Sequence, residues 1–313
     1  MIDSKRCSPA VNSFALLTLS FCMFVLLVIT HEHREDSRII PRLLKPPSVI
    51  VAPPPKFCQG FRYLVAVYTR VNESEIRLRF RQRYGPFSSK YNFTVVFPLG
   101  ISDAKTNEAV LHEHHRFGDV LQTNFYDSYR NLTLKSFSFS HFVDKNCTNV
   151  RAVLKIDDDV EWNVRKVIDE MDAIDFTAKR LYCQFGNNTT PIRTTSKWFI
   201  SVEEYPHELF PPYCAGVAYF ATPSTFVTLF HATSTVPHIW LDDVFSTGIV
   251  GAAACVSFTR LRFINRKKYA EISPEMEIIY NVKEDGDRSL IFNIFNGNLS
   301  TTSENLTSSF VAY

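Results

Sequence analysis

Three consecutive carboxylates closing a short apolar run, Val153-Leu154-Lys155-Ile156-Asp157-Asp158-Asp159-Val160, constrain this chain more than any other stretch. The run reads as a buried strand, and the carboxyl end of such a strand is where ligand crevices form in α/β sheets. Side chains alternate along extended backbone, so Asp157 and Asp159 are expected on one face with Asp158 turned away. Two converging carboxylates repel unless a cation lies between them, and oxygen-only ligands suit Mg²⁺ or Mn²⁺ better than zinc. The competing reading makes one Asp the cap of a helix predicted by Asn163-Val164-Arg165-Lys166-Val167-Ile168, with the others solvated.

The rest of the chain sets the setting for that site. Its 313 residues are 45% hydrophobic and 14% aromatic, enough for a sizeable core, which excludes disorder throughout. A formal net charge of +2 leaves no broad basic footprint for nucleic acid. From Phe14 to Ile29 the sequence carries no charge, and residues 11–30 reach the ~17–20 residues that span a bilayer. No small-x-small cleavage site follows, so an uncleaved signal anchor is expected, with a tail at 1–10. Charge counting around the span opposes this orientation, because Arg34, Arg38, Arg42 and Lys45 outnumber Lys5 and Arg6. Glycosylation sequons at Asn72, Asn92, Asn131, Asn146, Asn187, Asn188, Asn298 and Asn305 point the other way, to a lumenal body. Cys58, Cys147, Cys183, Cys214 and Cys255 are scattered without metal-type spacing, as in an oxidising compartment.

A proline-rich stem, 31–56, separates the anchor from a folded domain expected at 57–313. Tyr63–Tyr68 and Phe93–Phe97 read as buried strands flanking a helix that ends near Tyr84-Gly85-Pro86. A helix from about Asn163 to Ile174 and an interior strand at Gly216–Ala221 follow the aspartate strand. An α/β architecture with an open, mostly parallel, Rossmann-like central sheet accommodates this order.

Several segments, taken in order, resemble the β1,3-galactosyltransferase family, glycosyltransferase family 31. Arg77-Leu78-Arg79-Phe80-Arg81-Gln82-Arg83-Tyr84-Gly85 is similar to its R-x-x-I-R-x-T-W-G motif. Residues 118–135, from Gly118-Asp119-Val120-Leu121-Gln122 through Asp127-Ser128-Tyr129 to Asn131-Leu132-Thr133-Leu134-Lys135, follow G-D-I-L-Q-x-D-F-x-D-S-Y-x-N-L-T-L-K. Lys155–Val160 matches K-T-D-D-D-V. Glu204-Tyr205-Pro206, Tyr213-Cys214-Ala215-Gly216 and Asp242-Asp243-Val244-Phe245 match E-Y-P, Y-C-S-G and E-D-V-Y.

The resemblance implies a GT-A fold in a single-pass type II Golgi membrane protein. It further implies inverting, Mn²⁺- or Mg²⁺-dependent transfer of galactose or an N-acetylhexosamine from a UDP-sugar to a glycan hydroxyl in protein glycosylation, with a β1,3 linkage. Carried over by position, Asp159 is the direct metal ligand, Asp157 supports metal or ribose beside Asp158 at the donor, and Asp243 is the catalytic base. An inverting displacement needs one carboxylate opposite the leaving group. Asp242 and Asp243, as neighbours in an extended segment, would face opposite ways, so that only one enters the cleft. Val244 onward also permits Asp243 to be a helix cap.

Other residues are open to two readings. Arg77, Arg79, Arg81 and Arg83 either supply counter-charge near the donor diphosphate or form a solvated helix face. Gly216 either admits the sugar close to the backbone or marks a turn. Tyr213 and Trp198 either stack on acceptor sugar rings or pack in the core. His112, His114 and His115 lie on a polar stretch ahead of Gly118 and fit surface exposure better than a metal cluster. The chain departs from the family pattern in lacking a His after His238, where a further metal ligand is usual, and in Ile156, Val217 and Ala218. That departure motivates an alternative, a catalytically weak or inactive glycan-binding accessory protein on the same fold.

Overall fold

The computed structural model describes residues 44–261, 263–265, 277–280, 282 and 285–295. The expected tail, anchor and first part of the stem, and the sequons at Asn298 and Asn305, lie outside these residues. In chain order the strands are β1 (Val49–Val51), β2 (Tyr63–Tyr68), β3 (Phe93–Ile101), β4 (Val120–Tyr126), β5 (Ala152–Asp157), β6 (Glu161–Trp162), β7 (Arg180–Gly186), β8 (Tyr213–Ala221), β9 (Ser257–Arg260), β10 (Phe263–Asn265) and β11 (Ile278–Tyr280). The helices are α1 (Ser74–Tyr91), α2 (Ala104–Phe117), α3 (Leu132–Asn146), α4 (Val164–Asp172), α5 (Pro223–Ala232), α6 (Val250–Ala253) and α7 (Asp285–Phe295). A π-helical stretch, Val244–Ile249, leads directly into α6.

The main sheet has the order β1-β4-β3-β2-β5-β8-β7-β9, and β10-β11-β6 form a small second sheet. The four strands β4, β3, β2 and β5 are parallel, as the alternation of strands and helices predicts. The sheet is mostly parallel, as expected, with six of its eight strands running one way; the exceptions are the edge strand β1 and the interior strand β8, which runs antiparallel to both β5 and β7. Burial makes a central strand apolar whichever way it runs, so the apolar run Val217–Ala221 carried no signal of direction. The reversal matters for the site. With Ile156 opposite Ala218, it lays the start of β8, including Gly216, beside the carboxyl end of β5.

Side-chain alternation along β2 divides the core. Leu64, Ala66 and Tyr68 face a layer that includes Phe139 and Phe142 of α3 and Phe226 and Leu229 of α5. Tyr63, Val65 and Val67 face Phe80 and Tyr84 of α1 with Val164 and Val167 of α4. On β5 the same rule sends Leu154 and Ile156 to the second layer and Val153 to the first. Lys155 and Asp157 therefore point toward the first layer, where Tyr68 and Tyr219 also lie.

Two boundaries differ from expectation. The folded domain begins before residue 57, because Val49–Val51 pairs with β4 and Leu44 packs on the core. Helix α1 does not stop at Gly85-Pro86 but runs to Tyr91 and ends on Asn92, in the left-handed conformation at φ 55°. Buried Phe80 and Tyr84, with Phe87 and Tyr91 packed beside them, hold its one face through the proline. Helix α4 starts as expected, with the Asn163 side chain accepting the Lys166 N–H at 3.2 Å.

Disulfides Cys58–Cys147 and Cys183–Cys214 tie the segment before β2 to the end of α3, and β7 to β8. Asn72, Asn92, Asn146, Asn187 and Asn188 are exposed. Asn131 is half-buried, and its amide donates to the Tyr126 carbonyl at 2.8 Å.

Candidate active site

Strand β5 ends at Asp157, and the chain turns at once: the Val160 N–H donates to the Asp157 carbonyl at 3.3 Å and the Asp158 N–H to the Tyr68 carbonyl at 3.1 Å. The alternation expected to set Asp157 and Asp159 on one face therefore stops before Asp158. The three carboxyls feel one another's charge across this turn. Burial pushes the Asp158 carboxyl up to about 7, with Asp157, Glu73 and Asp159 adding repulsion and Arg288 opposing it. Burial also raises Asp157, and the charges of Asp159 and Asp243 add to the effect while Lys155 counters it. From α7, Arg288 donates to the Asp158 carbonyl at 2.6 Å and to Glu161 at 3.1 Å, and Val282 N–H holds the Asp159 carbonyl at 3.0 Å. Val282 and Arg288 thus brace the turn from the C-terminal part of the chain.

Across from the turn, Asp242 and Asp243 open a helix that continues through the π-helical stretch into α6. They are not in extended backbone. Asp243 has φ −63° and ψ −43°, so successive side chains diverge by about 100° and not 180°. Asp242 turns into the protein, where its two oxygens accept from Ser136 at 2.9 Å and Ser246 at 2.8 Å. Burial raises its pKa to about 6, partly offset by Lys155 and these hydroxyls. Asp243 faces β8. Its Oδ1 accepts the Val244 N–H at 2.9 Å, and burial raises its carboxyl against that bond, Lys155 and the Gly216 N–H. Asp243 thus does some of the work of a cap while also facing the cleft. A π-helical turn beside it is a costly geometry that recurs at functional sites.

Gly216 is neither a turn residue nor a bare gap. It lies inside β8, and a Cβ there would stand 3.3 Å from the Asp243 Cβ. Its carbonyl accepts from Lys155 Nζ, which also pairs with Asp157 Oδ1 at 2.5 Å. Lys155 is buried against Tyr68, 4.5 Å from the ring centroid. One buried cation therefore connects the aspartate turn to the strand that carries Gly216. A charge inside an otherwise apolar strand was the available signal for Lys155. Lys135 is a second buried cation, bonded to the Thr69 carbonyl at 2.7 Å and to Asp127 at 3.0 Å.

Three of the four arginines are engaged by the fold, and Arg79 is exposed. Arg77 is fully buried and spends its guanidinium on Glu113, Thr69 and the carbonyls of Arg70 and Val71. Arg81 pairs with Asp119 and Glu113 between the rings of Phe97 and Phe117. Arg83 pairs with buried Glu161 at 2.6 Å. These three fasten α1 to the sheet and to α2. Arg77→Lys keeps the charge but loses the forked geometry, so it should cost about 2 kcal/mol of stability. A lowered unfolding midpoint with unchanged UDP affinity is the expected result; weakened UDP binding at full stability would restore Arg77 to the donor site.

Of the two acceptor candidates, Tyr213 is half-buried beside Gly248 and feels the Asp243 charge, whereas Trp198 is 47% exposed. His112 and His115 are exposed on α2, as expected. No group of three His, Cys, Asp or Glu side chains among the described residues is arranged to hold a metal alone. The donor set still suits Mg²⁺ or Mn²⁺, which bind through one or two carboxylates plus substrate phosphates. Asp157 and Asp159 supply such oxygens, and their crowding leaves unbalanced negative charge.

Several relatives share this sequence. The bonobo (Pan paniscus) protein named beta-1,3-galactosyltransferase 5 is 34% identical over 151 residues, covering 48% of this chain and 50% of that protein. The Xenopus tropicalis lactosylceramide 1,3-N-acetyl-beta-D-glucosaminyltransferase is 28% identical over 203 residues, covering 60% and 54%. The chain thus spans about half the length of the curated relatives it matches. A solved galactosyltransferase in complex with donor and acceptor sugar analogs superposes at a TM-score of 0.43 and 10% identity, covering 77% of this chain and 98% of that one. A family model described as Galactosyltransferase matches residues 76–262, the segment that holds the aspartate turn, Gly216 and Asp243, and the chain belongs to that family.

Proposed function

We propose that this chain is an inverting, metal-dependent glycosyltransferase of the GT-A type. It would move galactose or an N-acetylhexosamine from a UDP-sugar to a glycan hydroxyl, forming a β1,3 linkage. The carrying observation is the convergence of the Asp157–Asp159 turn and Asp243 on the two sides of Gly216. The relatives named as 1,3-transferases of galactose and of N-acetylglucosamine support the linkage and leave the sugar between these two.

The side chains divide the work. Asp157 and Asp159 would hold the divalent cation, which when bound neutralises charge on the departing diphosphate. Asp243, its carboxyl raised by burial, accepts the proton of the acceptor hydroxyl; a raised pKa makes its carboxylate a stronger base. Lys155 keeps the Asp157 carboxylate and the Gly216 carbonyl at fixed separation, so donor side and base side move as one. Gly216 leaves room for the base. Purified protein with Mn²⁺ should transfer from UDP-galactose or a UDP-N-acetylhexosamine to a glycan acceptor. Metal-dependent UDP binding without any product would favour the accessory-protein reading that the missing downstream His motivates.

The same reading places the domain in the Golgi lumen behind an N-terminal anchor, as a type II protein. Two disulfides and the exposed Asn72, Asn92, Asn146, Asn187 and Asn188 support an oxidising, glycosylating compartment. Enzymatic deglycosylation of the membrane-expressed protein should increase its electrophoretic mobility. No shift, with the domain open to protease from the cytosolic side, would overturn the location.

A further inference from the structure

Beside Asp243 stands a wall of aromatic rings that the mechanism does not use. Tyr129 is 48% exposed and Trp198 47%, so about half of each ring is open to a ligand. They belong together: the Trp198 indole is within hydrogen-bonding reach of the Tyr129 hydroxyl, which also feels the charges of Asp243, Asp157 and Asp242. Tyr129 meets the ring of buried Trp240 at 6.1 Å, edge to face. The wall is pre-organised on the Trp198 side, because Arg193 donates to the carbonyls of Ile200, Ser201, Tyr205 and His207 and so clamps the loop that carries it.

Two cations lie on these rings. Lys197 Nζ is 4.3 Å from the Trp198 centroid and 5.7 Å from that of Tyr129, and the Arg130 guanidinium is 4.2 Å from the Trp240 centroid. Buried Arg77, Arg81, Lys135 and Lys155 all meet carboxylates. Arg130 and Lys197 are exposed and rest on aromatic faces, with no carboxylate partner among the described residues. Such cations keep their charge available while their stems are held in place.

We propose that Tyr129, Trp198, Trp240, Arg130 and Lys197 form an acceptor subsite that selects glycans bearing an anionic group, a carboxylate or a sulfate ester, near the sugar being extended. Exposed Tyr129 and Trp198 stack on the apolar faces of the sugars, with buried Trp240 packed behind Tyr129, and the two cations pair with the anion. This subsite presupposes the transferase reading and adds a substrate class to it.

Full-length protein in detergent is assayed with three acceptors that share one terminal disaccharide: neutral, uronate-bearing and sulfated. The KM for one of the anionic acceptors should lie about tenfold below that of the neutral one, the scale of a single charge-assisted hydrogen bond. Whichever acceptor shows the preference identifies the anion. Lys197→Gln and Arg130→Gln should each erode the preference and bring the two KM values together. Equal KM values for all three acceptors with wild-type protein would overturn the inference. So would a rise in donor KM matching the rise in acceptor KM, since the cations would then serve the diphosphate. Failure of the transferase reading looks different: no acceptor is extended and calorimetry finds no UDP binding, which removes the subsite as well.

Discussion

Asp243→Asn should leave a folded protein that binds UDP with Mn²⁺ but transfers sugar at least about 100-fold more slowly, the lower end of what a general base contributes. That loss corresponds to about 2.7 kcal/mol of transition-state stabilisation. The variant separates the two jobs the structure gives Asp243. An asparagine oxygen can still accept the Val244 N–H that the carboxylate holds at 2.9 Å, so helix initiation survives. Basicity does not. Near-normal turnover in Asp243→Asn would refute the assignment.

The sign of the pH response gives an independent check. Only the carboxylate form accepts a proton, and burial raises the Asp243 pKa, so the wild-type rate should fall as pH drops through that raised value. The residual rate of the Asn variant should lack this limb. Asp242, the runner-up, is a poorer candidate because Ser136 and Ser246 already occupy both of its oxygens. Gly216→Ala offers a milder perturbation of the same geometry. A methyl placed 3.3 Å from the Asp243 Cβ requires a shift of a few tenths of an ångström, and should lower the transfer rate more than it lowers UDP affinity.

What the sequence made legible was whatever depends on local chemistry. The strands at Tyr63–Tyr68 and Phe93–Phe97 announce themselves by their apolar runs, and the helix that starts at Asn163 by the periodic run that follows it. The aspartate triplet was visible because three carboxylates at a strand end are costly without a purpose. What stayed hidden depends on distant partners. Arg77 and Arg81 find Glu113 and Asp119 more than thirty residues away, and nothing in an alternating charge run tells an ion-paired interior face from a wet one. The stretch Val244–Ile249 is rich in β-branched residues, so extended backbone was the natural expectation for Asp242 and Asp243. Packing of Val244 and Phe245 into the first core layer makes it helical. Gly216 could be weighed only as sugar contact or turn, because its neighbour Asp243 comes from another element.

Asp159→Ala should abolish Mn²⁺-dependent binding of UDP. The substitution is clean, since among the described residues only the backbone carbonyl of Asp159 is used by the fold, accepting the Val282 N–H at 3.0 Å. Alanine keeps that bond and removes a carboxylate from a cluster in which burial raises both Asp157 and Asp158 and the charge of Asp159 adds to the effect. Without a cation, losing one charge from such a cluster relieves repulsion, so the folded protein should be no less stable, and a fall in unfolding midpoint is not expected. With a cation the same loss removes a ligand that has no substitute. Lys155 already claims one oxygen of Asp157, and no His follows position 238. The two effects have opposite signs, which makes the experiment decisive. Calorimetry of wild type should show UDP binding that requires Mn²⁺ and vanishes with a chelator, and Asp159→Ala should show none at any metal concentration that wild type needs. If UDP binds equally to both proteins, with and without chelator, the aspartate turn serves the fold and the diphosphate is held elsewhere.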